Sequence, residues 1–139
     1  MRRLFALVLL LAACTSSDEI EITDAWVRAM PPGAGMTAGY FVLTNRSSGD
    51  LKIVGASSPG FGLVEMHRTV ELNGMSRMQQ EKEIAIEAGE TIRFAPHGRH
   101  LMLMRPHGAV EPGRTVGLKL HLLDGREIAF EAEIRHPTD

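Results

Sequence analysis

Residues 66–104 of the chain read MHRTVELNGMSRMQQEKEIAIEAGETIRFAPHGRHLMLM. The pair Asn73-Gly74 within this stretch is a strong hairpin signal, because both central positions of a two-residue type I′ turn need positive φ. The runs on either side of the pair, residues 63–72 and 75–80, have the short, turn-bounded form that is typical of β-strands. The stretch therefore predicts a β-hairpin with a two-residue loop.

The chain on either side of this hairpin shows the same kind of short run, separated by Gly, Pro, Asn and Asp, and no convincing helical periodicity. A second two-residue turn signal is Asp124-Gly125. The predicted strands are residues 19–27, 37–45, 51–57, 63–72, 75–80, 91–94, 99–104, 114–123 and 126–135. About seven to nine short strands at this spacing predict a single all-β domain, a β-sandwich with Greek-key connections.

The composition narrows the functional class. With 44% hydrophobic and 23% charged residues, the chain resembles an ordinary globular protein. A formal charge of −2, no long basic run and only 5% aromatic residues argue against a nucleic-acid partner. The sequence has no Gly-x-Ser-x-Gly, no His-Glu-x-x-His and no phosphate-binding loop, so we do not expect an enzyme.

The N-terminus is predicted to be an export signal. Arg2 and Arg3 precede an apolar run, residues 4–13, which is too short to remain as a membrane-spanning helix. The run closes with Leu-Ala-Ala-Cys at residues 11–14, which resembles the lipobox of bacterial lipoproteins. In such proteins the cysteine is acylated and becomes the first mature residue. The alternative is a plain signal peptide cleaved nearby, with Cys14 incidental.

The lipoprotein interpretation divides the chain into a signal peptide (1–13), a lipidated cysteine with a short tether (14–18) and a β-sandwich domain (19–136). Cys14 is the only cysteine, so its acylation leaves no thiol for a disulfide, for catalysis or for a metal. In bacterial lipoproteins, an aspartate directly after the lipidated cysteine suggests retention in the inner membrane. This chain has Thr15 at that position, so the resemblance implies the outer membrane if the source is Gram-negative. We expect an exported, membrane-anchored protein that faces the periplasm.

Four side chains have a spacing that suggests a metal site. His67 is followed after ten residues by Met78, after another twenty-one by His100, and after one more by Met102. Imidazole and thioether together suit a soft monovalent cation, above all Cu(I). A single histidine in a strand is more often a surface residue, and a single methionine is more often part of the core. The metal prediction therefore depends on the four residues occurring together.

The predicted hairpin gives these residues a geometry. A two-residue turn pairs Thr69 with Met78, so Met78 lies diagonally from His67 on the same face, about 7 Å away at the backbone. His100 and Met102 likewise project together from one strand. The hairpin and this strand are thus predicted to present both pairs at a common point.

Other histidines and methionines are weaker candidates. Met104 shares the predicted face of His100 and is a possible secondary ligand, although we favour packing at an edge. His97 and His107 follow prolines in predicted loops, and His97 is a possible secondary contact. Met66 has the parity of a core residue, and Met75 is predicted to face away from Met78.

The spacing His-x10-Met-x21-His-x-Met resembles the signature of the periplasmic copper chaperones of the PCuAC type, which serve the copper A centre of cytochrome c oxidase. Further segments resemble that family in the same order: Asp24-Ala25-Trp26-Val27-Arg28, the strand from Ala38-Gly39-Tyr40 to Asn45, Gly55-Ala56-Ser57-Ser58-Pro59, Glu65-Met66-His67 and His100-Leu101-Met102-Leu103-Met104. The resemblance covers nearly all of the chain after the tether.

The resemblance implies a cupredoxin-like β-sandwich that binds one Cu(I) per chain through His67, Met78, His100 and Met102. It implies a metallochaperone that delivers copper to the copper A subunit of cytochrome c oxidase or to an assembly factor of that subunit, here with a lipid anchor on Cys14. Two alternatives remain: a periplasmic lipoprotein that scavenges or stores copper, and a structural lipoprotein that binds no metal.

Overall fold

The structure is a computed structural model that describes residues 19–137. The predicted signal peptide, Cys14 and the tether lie outside the described residues. No helix among residues 19–137 is long and apolar enough to cross a membrane. The described strands are β1 (Ile20–Arg28), β2 (Met36–Asn45), β3 (Leu51–Ser57), β4 (Phe61–Leu72), β5 (Met75–Gln80), β6 (Ile84–Ile86), β7 (Thr91–Phe94), β8 (Arg99–Pro106), β9 (Thr115–Leu122) and β10 (Glu127–Arg135).

The strands form one hydrogen-bonded ladder in the order β5-β4-β8-β7-β2-β1-β10-β9-β3-β6. β3 and β4 are far apart in this order but contact each other, so the ladder folds over into two layers. One core fills the space between the layers, with Phe41, Leu43 and Leu101 from one half and Ile53 and Leu120 from the other. This two-layer arrangement confirms the predicted all-β sandwich.

The hairpin that follows from Asn73-Gly74 has the predicted register. Asn73 and Gly74 have φ angles of 53° and 75°, as a type I′ turn requires. Thr69 pairs with Met78, three residues along each strand from the Leu72–Met75 pair that flanks the turn. β5 is an edge strand and is exposed along its whole length. The turn chemistry therefore places Met78 at the rim of the molecule.

Nine strands are predicted from the sequence, with bounds within two residues of those observed, and β6 is missed. This strand, Ile84–Ile86, has only three residues and is too short for alternation to identify it. A tertiary contact helps to hold it. The fully buried Asn45 donates its side-chain amide to the carbonyl oxygens of Gly49, Ile86 and Glu87, at 2.8, 3.3 and 3.1 Å.

Candidate metal centre

The four predicted ligands lie on one face of three neighbouring strands, β5, β4 and β8. His67 of β4 is directly opposite His100 of β8, and their ring centroids are 5.9 Å apart. Met102 follows His100 by two residues on β8 and so shares its face. Met78 of β5 is opposite Thr69, which lies on the His67 face of β4. The sheet therefore brings together two side-chain pairs that are far apart in the sequence.

The carboxylate of Glu65 determines which ring nitrogen of His67 carries the hydrogen. The Nε2 atom of His67 lies 2.8 Å from Oε2 of Glu65, and the two side chains are 17% and 28% exposed. A carboxylate only accepts hydrogen bonds, so Nε2 carries the hydrogen and donates it. The Nδ1 atom of His67 is then left with a free lone pair, which is the form that binds metal.

A backbone carbonyl group determines the tautomer of His100. Its Nδ1 atom lies 3.1 Å from the carbonyl oxygen of Gly98, which also accepts the backbone N–H of Thr69 at 3.1 Å. Since a carbonyl oxygen accepts, Nδ1 donates, and Nε2 keeps the lone pair. The strand pairing that orients the carbonyl thus also selects the tautomer of His100.

Both lone-pair nitrogens lack a partner within the protein. Among the described residues, His67 Nδ1 and His100 Nε2 are the only buried side-chain nitrogen or oxygen atoms without a hydrogen bond. Leaving a buried acceptor unpaired costs about 1–3 kcal/mol, so such atoms call for an explanation. The chemistry of the donor set fits a metal ion that takes both lone pairs.

The two candidate thioethers lie nearer the solvent than His100 does. Met78 is 60% exposed and Met102 is half-buried. A cleft of about 380 Å³ is lined by Met78, His100 and Met102, among other side chains. His67 does not line this cleft, but its ring lies beside that of His100, which does. A slightly larger hollow of about 440 Å³ lies elsewhere, against residues such as Ile20, and no histidine or methionine lines it.

An ion pair ties the end of β5 to the start of β8. Arg99 donates from Nε and a terminal nitrogen to the two carboxylate oxygens of Glu81, at 2.6 and 3.0 Å, and both side chains are mostly buried. This hydrogen bonding lowers the pKa of Glu81 and raises the pKa of Arg99. The Glu81 backbone N–H also donates to the Met66 carbonyl at 2.8 Å. The pair therefore links the strand of Met78 to the strand of His100 across β4, which lies between them.

The other histidine and methionines considered as ligands differ in where the structure places them. His97 is exposed in a turn, has a φ of 64° and lines the same cleft. Met104 is half-buried on the His100 face of β8. Met66 is 3% exposed and belongs to the core, as predicted. Met75 is 55% exposed on the opposite face of the hairpin from Met78, as its parity predicts.

Three residues beside the four candidate ligands were not predicted from the sequence. Glu65 precedes His67 by two residues on the same predicted strand, so the sequence does indicate that the two side chains share a face. Met36 and Tyr40 line the cleft from β2, and nothing in the local sequence indicates that β2 lies beside β8. Burial raises the pKa of Tyr40, and the nearby Arg28 partly opposes this rise.

Within residues 19–137, no group of three or more His, Cys, Asp or Glu side chains is arranged to hold a metal ion. The candidate ligand set instead combines two imidazole nitrogens with two thioether sulfurs. Thioether and imidazole ligands together favour Cu(I) over the harder divalent ions.

Comparison with known proteins identifies the family of the chain. The profile of the family described as "Putative lipoprotein LpqE-like" matches residues 20–134. The "Putative lipoprotein Lxx21020" of Leifsonia xyli subsp. xyli (strain CTCB07) is 37% identical over 110 residues, which cover 78% of this chain and 65% of that protein. The "Uncharacterized protein RP573" of Rickettsia prowazekii (strain Madrid E) is 29% identical over 105 residues, 68% of this chain and 58% of that protein. The chain thus spans less than two thirds of the length of either relative.

Solved structures share the fold. The copper-bound PCuAC domain from PmoF2 has a TM-score of 0.70 at 20% identity, with 86% of this chain and 94% of that chain covered. The solution structure of CuI-DR1885 from Deinococcus radiodurans has a TM-score of 0.69 at 30% identity, with 92% and 87% covered. These likenesses confirm the resemblance to PCuAC domains that the spacing suggests. The chain has the β-sandwich fold of PCuAC domains and belongs to the LpqE-like lipoprotein family.

Proposed function

We propose that the chain is an extracytoplasmic copper chaperone that binds one Cu(I) through His67, Met78, His100 and Met102. The observation that carries this proposal is the pair of buried, unpartnered ring nitrogens on His67 and His100, whose rings are neighbours on the sheet face that also carries Met78 and Met102. The copper-bound forms of structurally similar proteins support copper as the cargo. Met104 and His97 are not required for this site.

The ligand set suits a cargo that must stay reduced. All four side chains are neutral when they bind, so the complex keeps the single positive charge of Cu(I). Two thioethers favour Cu(I) over Cu(II), and unlike thiolates they form no disulfides in an oxidising compartment. The carboxylate of Glu65 holds His67 in its binding tautomer without joining the ligand set.

The exposure of Met78 favours delivery over storage. A storage site benefits from a closed ligand set, whereas an acceptor protein needs a ligand that it can replace first. Met78 is 60% exposed on an edge strand, and its thioether is uncharged and flexible. We propose that the acceptor is the copper A subunit of cytochrome c oxidase or an assembly factor of that subunit.

The proposed location follows from the N-terminal sequence. Residues 1–13 are proposed as a signal peptide, Cys14 as the lipidated first mature residue, and 14–18 as the tether to the domain of residues 19–136. A relative named as a lipoprotein supports this assignment. The anchor would hold the copper site at a membrane surface that faces the periplasm, on the outer membrane of a Gram-negative source.

Cu(I) titration against a competing chelator tests the proposal. The full chain, carrying Cys14→Ser so that no thiol competes, is compared with a Met78→Ala/Met102→Ala variant. We expect one tightly bound Cu(I) per chain and its loss in the double variant. Met75→Ala is the matched control, because it removes an exposed thioether from the same hairpin on the wrong face. Equal binding by all three proteins would refute the ligand set, and no binding by any of them would refute copper as the cargo.

A further inference from the structure

Two methionines outside the proposed ligand set lie side by side on the same face of the sheet. Met36, the first residue of β2, is directly opposite Met104 of β8 in the antiparallel register. The Cβ atoms of such a pair are about 4.5–5.5 Å apart, so two flexible thioethers on one face can converge on one point. Met102 is two residues from Met104 on the same strand and face.

Core packing does not account for Met36. Its side chain is 58% exposed, and it lines the same cleft as Met78, His100 and Met102. At this exposure the side chain removes little apolar surface from water and so adds little to the stability of the sheet. An exposed thioether that points into a cleft with other thioethers is, in contrast, a usable soft ligand.

We propose that Met36 and Met104, together with Met102, form a second Cu(I) site made only of thioethers, next to the first. The proposal rests on the proposed function, because the second site takes the same cargo and shares Met102. Copper moves between the two sites by exchanging imidazole nitrogen for thioether sulfur. The exchange is redox-neutral, since the ion remains Cu(I) throughout.

The neighbouring side chains leave room for this site. Ala38 is directly opposite Met102 on β2, so a methyl group separates Met36 from Tyr40 along that strand. On the other side of β8, Leu63 of β4 is opposite Met104. On β4, the residue opposite Met104 is thus the apolar Leu63, whereas the residue opposite Met102 is Glu65. With no imidazole among its ligands, the second site binds copper more weakly than the first and serves as its exit or entry position.

Methyl NMR with Ag(I) tests the second site. Ag(I) is a soft monovalent ion that does not change oxidation state in air, and it is added to the full chain carrying Cys14→Ser, labelled with ¹³C at the methionine methyl groups. We expect the first equivalent to shift the Met78 and Met102 signals and the next equivalent to shift Met36 and Met104. Met36→Leu/Met104→Leu should keep the first step and lose the second. Met75→Leu, which changes an exposed methionine on the opposite face, should keep both steps.

The outcomes separate the two proposals. If Met78 and Met102 shift but Met36 and Met104 do not respond to excess Ag(I), the second site is refuted and the first remains. If Met78 and Met102 fail to shift, the proposed function itself is refuted. A kinetic measurement adds a second readout: transfer of Cu(I) to a chelator should be several-fold slower in Met36→Leu/Met104→Leu at unchanged first-site affinity. An unchanged transfer rate in a variant that has lost the second Ag(I) step would overturn the exit role.

Discussion

Replacement of Glu65 by leucine is predicted to weaken Cu(I) binding while leaving the sheet intact. The carboxylate accepts the hydrogen of His67 Nε2 at 2.8 Å and thereby keeps the lone pair on Nδ1. A hydrogen bond to a charged group contributes about 1.5–3 kcal/mol. Glu65 is 28% exposed, so solvent screening places the value near the lower end of that range. Since about 1.4 kcal/mol is a factor of ten, we expect a loss of roughly tenfold in affinity, at the low end of the ~10–100-fold typical of groups that orient metal-ligating histidines.

The assay is competition with a Cu(I) chelator, combined with ¹⁵N NMR of the His67 ring. Glu65→Leu should lower both the affinity and the fraction of the ring that carries its hydrogen on Nε2. Glu65→Gln keeps an acceptor oxygen and should lose less. Glu71→Leu, further along the same face of β4, is the matched control. Wild-type affinity in Glu65→Leu, with an unchanged tautomer, would show that the carboxylate does not position the ligand.

Two predictions concern the scaffold that holds the site. Asn45→Ala should lower the free energy of unfolding, measured by urea denaturation, by about 2–3 kcal/mol, because three carbonyl oxygens lose their common donor. A loss below about 0.5 kcal/mol would contradict this prediction. The pKa of Glu81 is lowered by its hydrogen bonds from Arg99, so its contribution to stability is present above the unfolded pKa near 4.5 and is lost as pH falls through the folded value. Glu81→Gln should therefore be less stable than wild type at pH ~7 and lose less stability between pH ~5 and ~3, and parallel acid profiles of the two proteins would refute this role.

Local turn chemistry explains why part of the fold is predictable from sequence. The dipeptide Asn73-Gly74 sets the turn type, the turn type sets the register, and the register determines which residues of β4 and β5 share a face. Strand order is different, because it depends on long-range pairing. The pairing of Met36 with Met104 joins residues that are distant in sequence, and no local pattern encodes it. The short strand Ile84–Ile86 is likewise defined by Asn45 and by its partner strand rather than by its own three residues.

In the candidate site, too, local pattern predicts some of the geometry and long-range strand pairing determines the rest. Parity and turn register predict that Met78 shares a face with His67, and that His100 shares one with Met102. The direct opposition of His67 and His100 depends on the pairing of β4 with β8, which the sequence pattern does not specify. The assignment of these four residues as copper ligands stays a prediction until copper is titrated.

The contrast in exposure between the histidines and Met78 has a consequence for rates. In the proposed complex, the buried nitrogens determine how tightly the ion is held, while the exposed sulfur determines how readily another molecule attacks it. Exchange would then be associative, and its rate would rise with the concentration of the acceptor instead of being limited by spontaneous dissociation. Such a protein keeps free copper very low and still transfers it quickly, because slow release to water and fast transfer to an acceptor depend on different side chains.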